Sequence, residues 1–210
     1  MNMKQAIIEN PILAIMRNIP TEKILNYVGA AIDGGVVFFE VALNSKDAYE
    51  QIKLLKKNYG KKIPIGAGTA ITVERAKAAI EAGADFLLSP STDEDVLAYC
   101  QKNHIAIMPG ALTPSDVSKC VRYGFPVIKM FPAGDMPMGY IKSLKGPFDE
   151  TEYVAIGGVK KENMAQFFNQ GYLGVGIGSN IIPSDMIQRD AWEEASAYVA
   201  ELSAIAKKFR

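Results

Sequence analysis

Lys129 is the one charged residue in an otherwise apolar run, Phe125-Pro126-Val127-Ile128-Lys129-Met130-Phe131-Pro132. A strand over this run places the amine among apolar neighbours, where the ammonium form is disfavoured and the lysine pKa falls. A pKa lowered by about 3 units leaves roughly a quarter of the amine neutral at pH 7, and a neutral amine attacks carbonyl carbons. Lys129 is therefore a candidate nucleophile. The alternative is a lysine that snorkels to water from a strand end.

Glu40 is a second charged residue inside an apolar run, Val37-Phe38-Phe39-Glu40-Val41-Ala42-Leu43. Burial among such neighbours raises the pKa of a carboxyl towards neutrality, which suits a group that must both accept and return a proton. The alternative is a structural ion pair between Glu40 and Arg17 or Lys129.

Eight short aliphatic or β-branched runs alternate with longer amphipathic stretches along the chain. The predicted strands are Ile12–Met16, Val36–Leu43, Ile63–Gly66, Phe86–Ser89, Ile105–Met108, Val127–Phe131, Tyr153–Ile156 and Leu173–Ile177. The predicted helices are Glu22–Asp33, Lys46–Asn58, Thr72–Ala82, Asp93–Asn103, Pro114–Tyr123, Lys160–Gln170 and Arg189–Lys207. The strands begin roughly every 20 to 27 residues, the spacing of consecutive βα units, and so predict an α/β fold.

Four helix-like stretches end in glycine just before the next strand, at Gly34-Gly35, Gly83, Gly124 and Gly171, as helix C-terminal caps do. At 210 residues the chain has room for one large core, or for two small domains at most. Eight βα units without a linker favour a single (β/α)8 TIM barrel over residues 1–210, and an open doubly wound sheet is the alternative.

Catalytic groups of such a barrel sit at the carboxyl ends of its strands, so the residues found there form one set of candidates. In strand order the eight ends carry Arg17; Glu40; Gly66-Ala67-Gly68-Thr69; Ser89-Pro90; Pro109-Gly110-Ala111-Leu112-Thr113; Lys129 and Phe131; Gly157-Gly158; and Gly176-Ile177-Gly178-Ser179-Asn180. A buried amine, a buried acid and an arginine at one mouth are expected of an enzyme that forms an iminium with its substrate.

The glycines that follow the seventh and eighth strands let backbone N–H groups approach an anion closely. Gly157-Gly158-Val159 and Gly174-Val175-Gly176-Ile177-Gly178-Ser179 stand at the two positions where barrels often bind phosphate, at the start of a short extra helix. A phosphate site is therefore predicted there, although glycine also serves tight strand-to-helix turns.

Composition excludes several other functions. The 23 basic and 23 acidic residues balance, which leaves no electrostatic footprint for nucleic acid or an anionic membrane. Cys100 and Cys120 form neither a metal spacing nor a disulfide framework, no run is long enough to span a membrane, and a reducing cytoplasm is expected. Gly66-Ala67-Gly68-Thr69-Ala70-Ile71 lacks the third glycine of a dinucleotide motif, and His104, the only histidine, opens a predicted strand without partner ligands. No metal and no cofactor are expected.

In register at the eight strand ends, the motifs resemble those of the 2-keto-3-deoxy-6-phosphogluconate (KDPG) and 4-hydroxy-2-oxoglutarate (KHG) aldolases. The resemblance covers nearly the whole chain and implies a Schiff-base lyase on a homotrimeric (β/α)8 barrel. The matching motifs are Ala14-Ile15-Met16-Arg17, Phe39-Glu40-Val41, Gly66-Ala67-Gly68-Thr69, Ser89-Pro90, Met108-Pro109-Gly110-Ala111-Leu112-Thr113-Pro114-Ser115, Ile128-Lys129-Met130-Phe131-Pro132-Ala133, Gly157-Gly158-Val159 and Gly176-Ile177-Gly178-Ser179.

This resemblance assigns a role to each candidate. Lys129 is implied to be the Schiff-base lysine and Glu40 the acid and base that moves protons. Arg17 is implied either to meet the substrate carboxylate or to pair with Glu40 and set its pKa. The other implied substrate-binding residues are Thr69 for the pyruvyl carboxylate, Phe131 beside the imine, and Gly157, Gly158 and Ser179 for the phosphate.

Two positions depart from the common pattern of the family and bear on the substrate. Many members have an arginine where this chain has Asn44 and a threonine where it has Ile156, and both departures look like the sister 6-phosphogalactonate aldolases. The runs Pro-Gly-x-x-Thr-Pro-Ser and Lys-x-Phe-Pro-Ala favour the gluconate type. The expected reaction is cleavage of KDPG to pyruvate and glyceraldehyde 3-phosphate, and of KHG to pyruvate and glyoxylate, with 2-keto-3-deoxy-6-phosphogalactonate as the alternative substrate.

Two other functions fit the glycine loops without using Lys129 and Glu40 together. One is a phosphosugar isomerase or phosphate-binding transferase on the same barrel. The other is a catalytically idle barrel that senses a phosphorylated metabolite.

Overall fold

The computed structural model describes residues 1–60, 62–137 and 139–209, and it forms one barrel of parallel strands. The strands are β1 Ile12–Met16, β2 Phe39–Ala42, β3 Ile65–Gly68, β4 Phe86–Leu88, β5 Ile107–Met108, β6 Gly110–Ala111, β7 Val127–Met130, β8 Glu152–Ile156 and β9 Gly174–Ile177. Their order around the barrel is β5-β4-β3-β2-β1-β9-β8-β7-β6. The predicted α/β barrel is confirmed.

The predicted fifth strand, Ile105–Met108, is present as the shorter β5, but the chain continues into a strand that was not predicted, β6, and Pro109 divides the two. Before the division β5 pairs with β4, and after it β6 pairs with β7, so this one stretch of chain closes the barrel. Proline has no N–H to give to a strand ladder. Its carbonyl still accepts a hydrogen bond, at 2.8 Å, from the backbone N–H of Lys129.

Helices surround the barrel, and each predicted helix is present with slightly different ends. The helices are α1 Met3–Glu9, α2 Ile24–Asp33, α3 Ala48–Tyr59, α4 Val73–Glu81, α5 Glu94–Lys102, α6 Pro114–Arg122, α7 Tyr140–Lys145, α8 Met164–Asn169, α9 Ser184–Gln188 and α10 Trp192–Lys207. The sequence patterns did not predict α1, α7 or α9, which have only five to seven residues and show little periodicity. His104 does not open a strand: it lies in the turn after α5 with a φ of +54°. No described helix is long and apolar enough to cross a membrane.

Several local signals fix where these elements begin and end. Thr72, Asp93 and Thr113 cap α4, α5 and α6 by accepting hydrogen bonds from N–H groups of the first turn. Each predicted glycine turn contains a glycine with a positive φ value, for example +102° at Gly83 and +82° at Gly124. These turns return the chain to the bottom of the next strand, which keeps all strand ends at one mouth.

The hydrophobic core has two parts, one inside the barrel and one between the strands and the helices. Inside the barrel, the rings of Phe38 and Phe86 stack with centroids 4.7 Å apart, and Gly66 leaves space for Phe86 because a Cβ there would overlap the ring. The side chain of Ile7 brings α1 against the amino end of the barrel beside Gly174. Packed apolar side chains therefore fill the barrel interior below the charged residues at the carboxyl ends of the strands.

Candidate active site

A cavity of about 380 Å³ opens at the carboxyl ends of the strands. Every predicted site residue lines it except Thr69, which follows the Gly68 packed against Glu40. The lining residues are Ile15, Arg17, Asn18, Glu40, Lys129, Phe131, Ile156, Gly157, Gly158, Val159, Gly176, Gly178, Ser179 and Asn180. Residues from five strand ends thus meet in one place, as the barrel arrangement predicts.

Lys129 lies on β7, in register with Gly110 of β6 and Val154 of β8. Its side chain is only 5% exposed, and Nζ stands 4.9 Å from the centroid of the Phe131 ring. Within the part of the chain that the structure describes, no ion pair joins Lys129 to a carboxylate. Burial lowers the pKa of Lys129, the charge of Glu40 opposes this, and Arg17 adds to it. A share of uncharged amine is therefore available at the cavity.

Glu40 lies on β2, in register with Ile15 and Gly66, and is 1% exposed. Its Oε1 occupies the space that a Cβ on Gly68 would fill, and its buried Oε2 has no hydrogen-bond partner. Burial raises the pKa of Glu40, while Lys129 and Arg17 pull it down. A buried carboxyl oxygen without a partner can accept a proton from a bound molecule without first breaking a bond within the protein.

Arg17 follows β1 and borders both this cavity and a neighbouring one, also of about 380 Å³, which it shares with Ser179. Its guanidinium forms no ion pair with Glu40, so its effect on the pKa values of Glu40 and Lys129 acts through space. The adjoining turn is fixed because the Asn18 N–H donates to Ser45 Oγ at 2.9 Å. Arg17 is thus a cation at the edge of the cavity, on a backbone turn that this hydrogen bond holds.

Thr69 begins the loop after β3 with a φ of +63°, an unfavourable value for a β-branched residue. Its hydroxyl donates to Asn44 Oδ1 at 3.4 Å, which ties the loop after β3 to the loop after β2. Strain of this kind, of order 1–3 kcal/mol, tends to occur at functional sites.

Two glycines with positive φ values form part of the cavity wall. Gly157 has a φ of +90° and Gly158 of +74°. A Cβ on Gly157 would lie 3.1 Å from the ring of Phe131, and the Asn163 side chain holds the Gly158 carbonyl by donating to it at 2.8 Å. Positive φ values favour glycine here, and the absence of side chains lets a ligand reach the backbone.

Sequence patterns missed two residues at or beside the site. Asn18 follows Arg17 in the cavity wall. Arg75 was also missed: it lies in the first turn of α4 and contacts the carbonyl of Thr69. Nothing in the local pattern signals this contact, because it depends on how α4 packs beside the loop. No three His, Cys, Asp or Glu side chains come together as a metal-ligating group among the residues described.

Comparisons with known proteins agree with this geometry. The family model described as KDPG and KHG aldolase matches residues 3–198. A 2-dehydro-3-deoxy-6-phosphogalactonate aldolase of Escherichia coli (strain K12) is 31% identical over 191 residues, which cover 90% of this chain and 93% of the relative. A 2-dehydro-3-deoxy-phosphogluconate aldolase of Treponema pallidum (strain Nichols) is 29% identical over 171 residues, 80% of each chain. The crystal structure of KDPG aldolase from Legionella pneumophila, with pyruvate captured as a covalent carbinolamine intermediate, superposes with a TM-score of 0.88 at 26% identity, covering 95% of this chain and 97% of that one. The chain belongs to the KDPG and KHG aldolase family, a family of carbon–carbon lyases.

Proposed function

We propose that this chain is an imine-forming aldolase that splits a phosphorylated 2-keto-3-deoxy sugar acid into pyruvate and glyceraldehyde 3-phosphate. The observation that carries the proposal is the placement of Lys129, a buried lysine without an ion pair among the described residues, in one cavity with the buried Glu40. Burial favours the uncharged amine, the form that attacks a ketone. A structural ion pair, the alternative for these two residues, requires closer contact than they make.

In the first half of the reaction, the lone pair of Lys129 Nζ attacks the C2 ketone of the substrate, and loss of water leaves a protonated imine. Glu40 then takes the proton of the C4 hydroxyl. The C3–C4 bond breaks, its electron pair moves into the imine to give an enamine, and the C4 oxygen becomes the carbonyl of glyceraldehyde 3-phosphate.

In the second half, the enamine takes a proton at C3, supplied by the same carboxyl, and becomes the imine of pyruvate. Water adds at C2 and releases pyruvate, which restores the free amine. Glu40 must therefore be basic in one half and acidic in the other. Its raised pKa suits both tasks better than the low pKa of an exposed carboxylate.

The rest of the cavity and the adjoining loop after β3 are proposed to hold the two charged ends of the substrate. Thr69 and its backbone take the carboxylate, with the charge of Arg17 nearby. The backbone at Gly157 and Gly158 and the hydroxyl of Ser179 take the phosphate, and these groups line the same cavity as Glu40. The ring of Phe131 flanks the imine carbon next to Nζ.

The choice between the gluconate and galactonate substrates depends on the configuration at C4, close to Ile156. Ile156 and Ile15 converge over Gly176, where a Cβ would lie 2.7 Å from Ile156 Cγ1 and 3.1 Å from Ile15 Cδ1. These two side chains present no hydrogen-bonding group. Apolar contacts discriminate only roughly 10- to 200-fold, whereas a site built around a hydrogen bond discriminates 10⁴-fold or more. We therefore propose that both epimers are cleaved.

The gluconate epimer remains the first candidate, from the sequence runs that favour it. The galactonate epimer is the second candidate, favoured by the aliphatic Ile156 and by the Escherichia coli relative. Rates of pyruvate release from each epimer test this choice. We expect kcat/KM values within about 100-fold of each other, and a lower value for 4-hydroxy-2-oxoglutarate, which has no phosphate for the glycine loops. Pyruvate release from none of the three would overturn the proposed function.

Three further expectations remain predictions: the homotrimer, the cytoplasmic location and independence of metal ions. Light scattering that gives three chain masses would support the trimer. Full activity after treatment with a chelator would support metal independence. If the enzyme instead converts a phosphosugar and keeps this activity after borohydride treatment in the presence of substrate, the isomerase alternative is favoured.

A further inference from the structure

Thr69 adopts a backbone conformation that its side chain disfavours. Its φ is +63°, in the left-handed region, where glycine, asparagine and aspartate are common and β-branched residues are rare. Such a conformation persists only where the surrounding structure holds it in place.

Hydrogen bonds on both sides fix the chain around Thr69. Before it, the Gly68 carbonyl accepts from the Leu43 N–H at 2.9 Å, and after it the Ala70 N–H donates to the Leu88 carbonyl at 3.0 Å. These are backbone bonds to the neighbouring strands. The Thr69 carbonyl itself accepts from the Ile71 N–H at 2.9 Å and from the Arg75 guanidinium at 3.3 Å. Of the donors and acceptors just named, Arg75 contributes a side chain, whereas the others are backbone groups.

The backbone of Arg75 lies in a capped helix turn. It belongs to the first turn of α4, and its N–H donates to the capping hydroxyl of Thr72 at 3.3 Å. Across the described residues it forms no ion pair with a carboxylate. Its charge therefore stands beside Thr69 without an acidic partner, and a charged donor makes a stronger bond to a carbonyl than a neutral one.

We propose that Arg75 is a positioning residue for the carboxylate end of the substrate. Its bond to the Thr69 carbonyl helps to keep the left-handed turn of the loop that is proposed to bind the carboxylate, and its unpaired charge favours an anion there. The proposal rests on the proposed function, in which Thr69 binds the pyruvyl carboxylate. It adds a residue from α4, outside the strand ends, to the determinants of substrate affinity.

The test compares three variants of the full chain: Arg75→Gln, Arg75→Lys and, as a matched control, Lys77→Gln. Lys77 lies on the same helix with its amine 5.7 Å from the Tyr99 ring centroid, so its replacement removes the same charge away from Thr69. The readouts are the pyruvate concentration that half-saturates borohydride trapping, the trapping rate at saturation, and the melting temperature.

For Arg75→Gln we expect the half-saturating pyruvate concentration to rise about three- to tenfold, while the saturated trapping rate stays within about twofold. Arg75→Lys keeps a charged donor and restores affinity to within about twofold, and Lys77→Gln matches the parent protein. An unchanged affinity in Arg75→Gln overturns the proposal, as does an equal rise in Lys77→Gln or a loss confined to the melting temperature. A parent protein that traps no pyruvate at all refutes the imine mechanism instead.

Discussion

Replacing Gly68 with alanine tests whether Glu40 works from the position that it occupies. A Cβ on residue 68 would overlap Glu40 Oε1 and lie 2.9 Å from Glu40 Cγ. The Cβ would lie closer still to Glu40 Cδ. Ordinary carbon–carbon contacts are about 3.5–4.0 Å, so the carboxyl must move by at least about 1 Å. A misplacement of about 1 Å lowers a catalytic rate by about 100-fold, which corresponds to about 2.7 kcal/mol of barrier. Overpacking adds about 1–3 kcal/mol of lost stability.

The assay measures kcat/KM for pyruvate release together with borohydride trapping of pyruvate and thermal unfolding. We expect Gly68→Ala to lose about 100-fold in cleavage while trapping at Lys129 stays within about tenfold, because the amine itself is not displaced. Gly29→Ala is the matched control, since a Cβ there meets only the Tyr59 hydroxyl at 3.8 Å. Cleavage within threefold of the parent protein would refute the role assigned to the position of Glu40.

Three other variants probe the same cavity. Glu40→Gln should still form the imine, measured by trapping, but lose at least about 100-fold in kcat because the C4 proton has no acceptor; unchanged kcat would contradict this. Arg17→Gln should move the acid limb of the pH profile of kcat/KM to higher pH, because removing the guanidinium raises the pKa of both Glu40 and Lys129; a limb that stays or moves down would refute the through-space effect. Ile156→Thr should raise the gluconate-to-galactonate ratio of kcat/KM about tenfold by adding a hydrogen-bonding group near C4, and an unchanged ratio would remove Ile156 from the specificity argument.

Much of the site could be predicted from sequence because its charged members interrupt apolar strands. Lys129 and Glu40 stand out as single charged residues against their apolar neighbours, and the structure buries both. The glycines after β8 were predictable because local chain geometry demands them: Gly157 and Gly158 have positive φ values.

What sequence reasoning missed depends on contacts between distant parts of the chain. The division of the fifth strand at Pro109 follows from pairing with β4 on one side and β7 on the other. The left-handed turn at Thr69 and its contact with Arg75 depend on the packing of α4 against the loop after β3. Short helices such as α9 carry too few residues to show a periodic pattern.

The most direct test of the account is to identify the residue that reacts with the substrate. The protein is incubated with pyruvate and borohydride, digested, and mapped by mass spectrometry, with Lys129→Ala as the control after its folding has been checked by thermal unfolding. We expect one reduced pyruvyl group on the peptide that carries Lys129, with neither adduct nor turnover in Lys129→Ala. An unmodified Lys129 in an active enzyme, an adduct on a different lysine, or full activity in Lys129→Ala would contradict the mechanism.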